Sequence, residues 1–244
     1  KLKKKNLKKI KKIGKNVRIL IHCASVVPPN NKQSSCFKAN TLMDSALIRT
    51  IKYSKIQKII FLSSVSVYGV KKQKVIYENS RLSKPDLYGL SKKIGENNFK
   101  KISNKNKIDV MILRLSTVIG KNCHSTFLSR LSENIRKTNE IGIYNPESYY
   151  NSCIHISNLN KIIHKLIKLK QKKKFDVINI YSKKPIRLKS IYNLFKNKLN
   201  KKAKLKEISS KKNSYIMKSI IAEKYGLKFS STKSNLKKFI SDLK

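Results

Sequence analysis

The segment Lys58-Ile59-Ile60-Phe61-Leu62-Ser63-Ser64-Val65-Ser66-Val67, followed by Tyr68-Gly69, constrains the fold more than any other stretch of this chain. Its apolar run shows no alternation, so neither face suits water, and a strand of that kind belongs in a parallel sheet covered on both sides by helices. The run then ends in hydroxyls and a glycine. In open α/β sheets ligands bind just beyond the carboxyl ends of the strands, where Ser63, Ser64 and Ser66 fall. A serine turn that merely closes the strand is the competing reading.

A second run of the same kind, Val17-Arg18-Ile19-Leu20-Ile21, leads into His22-Cys23-Ala24-Ser25 and the breaker Pro28-Pro29. The small residues there let a flat ring or a ribose approach the backbone, and His22 reads as structural. The patterning predicts further strands at 57–64, 108–115, 141–144, 152–156 and 176–180. It predicts helices at 38–54, 87–103, 124–137, 158–169 and 188–199, with Asn122 as a start signal for the third and residues 170–174 as a charged linker. This β-α alternation over 244 residues specifies an α/β protein with a doubly wound parallel sheet, long enough for a sizeable core.

Within the helix expected at 87–103, Tyr88 and Lys92 stand four residues apart and leave the same face. An ammonium about 4 Å from a phenol contributes on the order of 4 kcal/mol to the phenolate at an effective dielectric near 20. That is enough to bring a tyrosine toward the neutral range where general acid/base exchange works. In a chain so rich in lysine the same spacing also arises by chance.

The charge balance invites a different reading. Against 58 Lys+Arg stand 12 Asp+Glu, a net charge of +46, which ordinarily points to nucleic acid or an anionic membrane. Here the excess is mostly lysine, spread along the whole chain among abundant Ile and Asn, as an AT-biased coding sequence produces. A dedicated nucleic-acid site is more often an arginine-rich patch with interleaved aromatics. No specific nucleic-acid partner is therefore expected. Neither a membrane partner nor a secretory leader is expected, since no run of 18 or more apolar residues occurs. Cys23, Cys36, Cys123 and Cys153 lack metal-like spacing and fit reduced thiols in a cytoplasmic protein, with no metal site.

Taken in order, these pieces resemble the extended short-chain dehydrogenases/reductases, the NAD-dependent epimerase/dehydratase family of nucleotide-sugar enzymes. Ile21 to Ser25 resembles the family's "hxAA" strand end, with Asn40 in the helix that follows, and Phe61 to Gly69 resembles "SSxxVYG". Glu78, the Tyr88 to Lys92 motif running on to Gly95-Glu96, and Leu113-Arg114 through Gly120 for "LRxxxVYG" come next. Cys153 to Leu159 is similar to "FVHVDDLA", Val177 to Ser182 to "xFNIGSG", and Lys224 to Leu227 to "KxLGW". The resemblance runs from about residue 17 to the end.

The resemblance implies roles. Tyr88 becomes the acid/base, Lys92 its activator and a ribose ligand, and Ser64 the group that polarises the substrate oxygen. Cys23, Ala24, Ser25 and Asn40 would line an NAD or NADP cofactor, with Ser116 near the nicotinamide. Thr117 stands where many such epimerases carry an asparagine against the diphosphate. Ser157-Asn158 replaces the usual paired acids, and Tyr181-Ser182 the usual Gly-Ser. Around the substrate, His124, Arg130 and Tyr149 could reach a sugar or phosphate, or serve as an ordinary helix start, a solvated arginine and a packed aromatic.

The expected organisation is a Lys-rich segment at 1–15, a partial NAD-binding Rossmann domain at 16–121, and a mixed substrate-binding region at 122–244 whose strands return to the main sheet. The family's opening Gly-rich turn, whose helix N-terminus holds a pyrophosphate, has no counterpart in the first fifteen residues. The expectation is thus an N-terminally truncated member. Two functions stay open: an NAD(P)-dependent epimerase, dehydratase or reductase acting on a nucleotide-sugar, by resemblance a homodimer, and a catalytically silent remnant or binding subunit.

Overall fold

The structure is a computed structural model that describes residues 16–27, 33–51, 54–70, 73–138, 140–210 and 214–243. The Lys-rich stretch 1–15 and the Pro28-Pro29 breaker lie outside the described residues. The chain divides into two compact units, each assembled from non-contiguous segments.

The first unit comprises the described residues of Lys1–Val70, Glu78–Leu115 and Ile167–Asn179. Its sheet places β1 (Ile19–His22) beside β2 (Lys58–Ser64), then β4 (Asp109–Leu115) and β9 (Phe175–Ile180). The first two pairings are parallel, with Ile19 opposite Lys58 and Ser64 opposite Leu115. Ile59, Ile60, Phe61 and Val110 to Leu113 are fully buried, as an unalternating apolar strand requires. Helices α1 (Gln33–Ile51) and α2 (Leu87–Asn106) pack against each other. One continuous core joins Ile51, Ile59, Phe61, Phe99, Val110 and Ile112.

The ends of α2 are set by local chemistry. The Asp86 carboxylate caps it, accepting from the Gly89 amide at 2.7 Å. Lys107 closes it in the left-handed region at φ 53°. Gly89 is needed for a different reason: a Cβ there would lie 2.2 Å from the Ser66 carbonyl oxygen. The bare backbone lets the first turn of α2 seat against the 3-10 turn Val65–Tyr68 that follows β2. Gly69, at φ +60°, then turns the chain beneath Ser83, where a Cβ would stand 1.9 Å from the carbonyl oxygen.

A buried polar network ties this unit together. Arg114 on β4 grips Glu96 on α2 through two bonds, Nε to Oε1 at 2.9 Å and Nη2 to Oε2 at 2.8 Å. Ser63 donates to the same carboxylate at 2.7 Å. The remaining guanidinium nitrogen donates to the Tyr68 hydroxyl at 3.0 Å, and Tyr68 donates to Asn179 on β9 at 2.7 Å. Charges this deep persist only when every lone pair finds a donor.

The second unit comprises Lys71–Tyr77, Ser116–Leu166 and Ile180–Lys244 within the described residues. Four short strand pairs build it. β5 (Thr117–Ile119) runs parallel to β8 (Cys153–His155), and β6 (Glu140–Tyr144) parallel to β11 (Lys204–Ile208). β3 (Val75–Ile76) pairs with β12 (Ile216–Met217), and β7 (Tyr149–Tyr150) is antiparallel to β10 (Ile186–Arg187). Around them lie α3 (Phe127–Lys137), α4 (Ile156–Lys168), α5 (Leu188–Leu199), α6 (Ile220–Lys224) and α7 (Thr232–Asp242). Leu128, Ile135, Ile143, Phe195, Leu236 and Phe239 centre its core.

Helix α3 starts three residues later than expected. Asn122 adopts a left-handed turn at φ 57° and does not cap it. Thr126 does, accepting from the Ser129 amide at 3.1 Å while Ser129 Oγ accepts from the Thr126 amide at 2.6 Å.

Candidate active site

The carboxyl ends of β1 and β2 and the first turns of α2 converge in the first unit. Ser64 ends β2, and its hydroxyl caps the following turn by accepting from the Ser66 amide at 3.1 Å. Tyr88 stands in the first turn of α2, and the side chains of Ser25 and Ser64 are the hydrogen-bonding neighbours that pull its phenol pKa down. These three hydroxyls come from three segments distant in sequence.

Lys92 lies one helical turn beyond Tyr88 and is 4 % exposed. Its ammonium donates to the Leu62 carbonyl at 3.0 Å, lies 5.1 Å from the centre of the Phe61 ring and 5.9 Å from that of Tyr88. Burial pulls its pKa below the ordinary lysine value, and the charges of Asp44 and then Cys23 push back.

The Tyr88 pKa stands above the ordinary tyrosine value, because burial outweighs the bonds from Ser25 and Ser64 and the charge of Asp86 adds to the rise. The Lys92 ammonium is turned to the Leu62 carbonyl and to the ring faces of Phe61 and Tyr88.

The loop after β1 is fixed by Asn40 on α1. Its Oδ1 accepts from the Val26 amide at 2.8 Å and from Ser25 Oγ at 3.5 Å, and its Nδ2 donates to the Val26 carbonyl at 3.0 Å and to Ser91 Oγ at 3.3 Å. Asn40, expected along the cofactor, is therefore a buried clamp on the loop that presents Cys23, Ala24 and Ser25. Cys23 and Ala24 are exposed and Ser25 is half-buried. The Cys23 thiol is pushed up by burial and pulled back by the Lys92 charge. All four cysteines are free thiols.

The other expected site residues belong to the second unit. Ser116 is buried, its amide donating to the Ile180 carbonyl at 3.0 Å. Among the described residues its Oγ has no hydrogen-bond partner. Thr117 lines a cavity of about 410 Å³ with Phe127, Tyr144, Tyr150, Ser152 and Tyr215 among its walls. His124 and Arg130 are exposed and do not line it. Arg130 donates instead to Ser125 Oγ at 3.3 Å. His155 is held between Asp242 at 2.8 Å and Ser157 at 2.9 Å.

Of the cavity's aromatic wall, Tyr149 was expected near a substrate from the sequence, and Tyr150 and Tyr215 were missed. The pairing Tyr149-Tyr150 was a visible signal, whereas Tyr215 follows a polar stretch that carries none. Sequence reasoning also missed Asp44, a carboxylate in the middle of α1 that accepts from His22 Nε2 at 2.7 Å.

A parallel sheet of this order, with helices packed on it and a crevice at its carboxyl rim, belongs to the doubly wound class of folds that bind dinucleotides. The chain belongs to the NAD dependent epimerase/dehydratase family, whose model matches residues 2–180. An uncharacterized protein of Methanocaldococcus jannaschii is 29% identical over 173 residues, which are 69% of this chain and 52% of that protein. The chain thus spans about half the length of the curated relative it matches.

Among solved structures it is similar to the UDP-N-acetylglucosamine 4-epimerase of Methanobrevibacter ruminantium, at TM-score 0.81 and 18% identity, covering 96% of this chain and 79% of that one. A UDP-glucuronic acid 4-epimerase of Bacillus cereus gives 0.79 at 19% identity, with 96% and 76% covered. The UDP-Glc/GlcNAc 4-epimerase of Campylobacter jejuni gives 0.81 at 16%, with 97% and 80% covered. Among the described residues no helix is long and apolar enough to cross a membrane.

Proposed function

We propose that this chain is an NAD(P)-dependent epimerase, dehydratase or reductase acting on a nucleotide-sugar. The observation that carries the reading is the buried Lys92 ammonium 5.9 Å from the centre of the Tyr88 ring, with Ser25 and Ser64 the hydroxyls that act on the Tyr88 phenol. A hydroxyl cluster of this kind can pass a proton to and from a sugar oxygen. Tyr88 exchanges that proton, and Ser64, fixed by its bond to the Ser66 amide, orients the oxygen. Solved structures of this fold include the UDP-glucuronic acid 4-epimerase of Bacillus cereus in complex with NAD and RMD of Pseudomonas aeruginosa complexed with NADPH.

The donor set fits the nicotinamide half of such a cofactor. Exposed Cys23 and Ala24 bring small side chains to the end of β1, and the Tyr88 hydroxyl and Lys92 ammonium are the donors that would hold a ribose. A bound nicotinamide would accept and return hydride and bring a positive charge. The chain's own groups supply the proton chemistry and the orientation.

One observation favours the silent alternative. The phenol rests above its ordinary pKa, and the ammonium is turned to the Leu62 carbonyl, so the pair is not poised by itself. Thermal unfolding with NAD or NADP separates the two. A dinucleotide at a hundred times its dissociation constant adds about 2.7 kcal/mol, and the near-ultraviolet absorbance of reduced nicotinamide should appear when UDP-sugars are added. Absence of both effects refutes the enzyme.

A further inference from the structure

We propose that the second unit carries a reactive centre of its own: a serine nucleophile, Ser157, that His155 and Asp242 activate toward carboxylic esters. All of its groups lie within that unit, so it stands apart from the dinucleotide chemistry of the first.

Three side chains of α7, Asn235, Lys238 and Asp242, follow one another at i, i+3 and i+7 and so share one face of the helix. That face meets the junction of β8 and α4, which supplies His155, Ser157 and Asn158. Ser157 and Asn158 are the pair that stands where the resemblance expects two acids, and the proton chemistry around Tyr88 leaves them unused.

An ionised carboxylate can only accept hydrogen bonds. Asp242 Oδ2 accepts from the Lys121 amide at 3.0 Å and from His155 Nε2 at 2.8 Å. The ring proton therefore sits on Nε2, and Nδ1 turns its lone pair toward Ser157. Ser157 Oγ lies 2.9 Å from that nitrogen. The ring also caps α4, accepting from the Ser157 amide at 3.2 Å, which fixes its orientation. Hydroxyl, imidazole and carboxylate, each within hydrogen-bond reach of the next, form the relay by which a weak serine nucleophile is activated.

The surroundings hold this order in place. Asn235 Oδ1 accepts from the His155 amide at 2.8 Å and from Asn158 Nδ2 at 2.7 Å. Lys238 Nζ donates to Asn158 Oδ1 at 3.2 Å and to Ser157 Oγ at 3.1 Å. A cation at that distance stabilises negative charge on the serine oxygen and on a carbonyl that it attacks. Two carboxylates in place of Ser157 and Asn158 would give the lysine ion pairs and no nucleophile. His155 is buried, whereas Ser157 and Lys238 are half-buried. The base is shielded and the hydroxyl stays open to a reactant.

The reaction is an acyl transfer. Ser157 Oγ forms a bond to the ester carbonyl carbon while its proton passes to His155 Nδ1. The C–O bond to the alcohol then breaks, and the alcohol leaves with that proton. Water attacks the acyl-serine by the same route, giving the carboxylic acid and free Ser157.

The test uses the whole chain and two probes. An alkyl phosphonofluoridate exchanges its P–F bond for a bond to serine oxygen, releasing fluoride and a proton, and peptide mass spectrometry maps the label. Ser157 should be labelled ahead of every other serine. In His155→Gln, which keeps an acceptor for the Ser157 amide, labelling should slow by at least about a hundredfold. With p-nitrophenyl acetate the chain should release nitrophenol faster than Ser157→Ala, which still carries every lysine able to react with the ester. Label spread evenly over the serines, an unchanged rate in folded His155→Gln, or equal nitrophenol release from Ser157→Ala overturns the inference. Should His155→Gln fail to fold, the label map of the unsubstituted chain still decides.

Discussion

Replacing Glu96 by methionine should be among the most damaging single changes in the first unit. The carboxylate is 2 % exposed and Arg114 is 4 % exposed. Removing one member of so deep a pair leaves an uncompensated guanidinium, which costs about 3–5 kcal/mol. The Ser63 hydroxyl, which donates to Glu96 at 2.7 Å, loses its acceptor as well, worth about 1 kcal/mol. Domains of ordinary stability hold about 5–15 kcal/mol in total. With a urea slope near 2 kcal/mol/M, the midpoint of Glu96→Met should fall by about 2 M. The chain has no Trp, so far-ultraviolet circular dichroism is the natural probe. The double variant Glu96→Met with Arg114→Met removes both charges and should recover part of the loss, because an apolar pair of similar volume is often tolerated where an orphaned charge is not. A loss below about 1 kcal/mol in Glu96→Met, or a double variant as unstable as the summed singles, refutes the view that the network is held by charge pairing.

Gly89→Ala drives a Cβ to 2.2 Å from the Ser66 carbonyl oxygen, a backbone clash that cannot be relieved by a rotamer change. It should cost about 1–3 kcal/mol by urea unfolding and shift the ultraviolet titration of Tyr88; an unchanged titration would detach Tyr88 from the β2 turn. The raised Tyr88 pKa carries a pH signature. Above the unfolded value of about 10 the unfolded chain sheds the proton that the folded chain keeps, so stability is present below that pH and lost as pH rises through the folded pKa. Tyr88→Phe should therefore lose less stability above pH 10 than the parent chain, and an equal or steeper loss contradicts the raised value.

Much of the architecture was legible because it depends on local patterns. Unalternating runs at 57–64 and 108–115 can be satisfied only inside a covered sheet, and β2 and β4 follow those bounds to within a residue. Helix α2 was equally readable, although its end extends to Asn106. What escaped were elements without an apolar signature. In β11, Lys204-Leu205-Lys206-Glu207-Ile208, no residue is fully buried; its pairing with β6 is a tertiary choice that periodicity does not encode. The true start of α3 was missed because Asn122 and Thr126 are both good cap residues, and packing of Leu128 and Leu131 into the core selects the later one.

The site was legible as a list of side chains but not as a set of bonds. Spacing of four residues did bring Lys92 beneath Tyr88, with the ammonium 5.9 Å from the ring centre. Spacing says nothing of which acceptor the ammonium finds. That is decided by the Leu62 carbonyl, whose position follows from the seating of α2 on β2. The sequence reckons the phenol's proton affinity from one neighbour only. In the fold, desolvation of Tyr88 is the larger effect, and the compensating bonds come from Ser25 and Ser64. A charge four residues away on a helix is a local fact; the dielectric around it is a property of the whole unit.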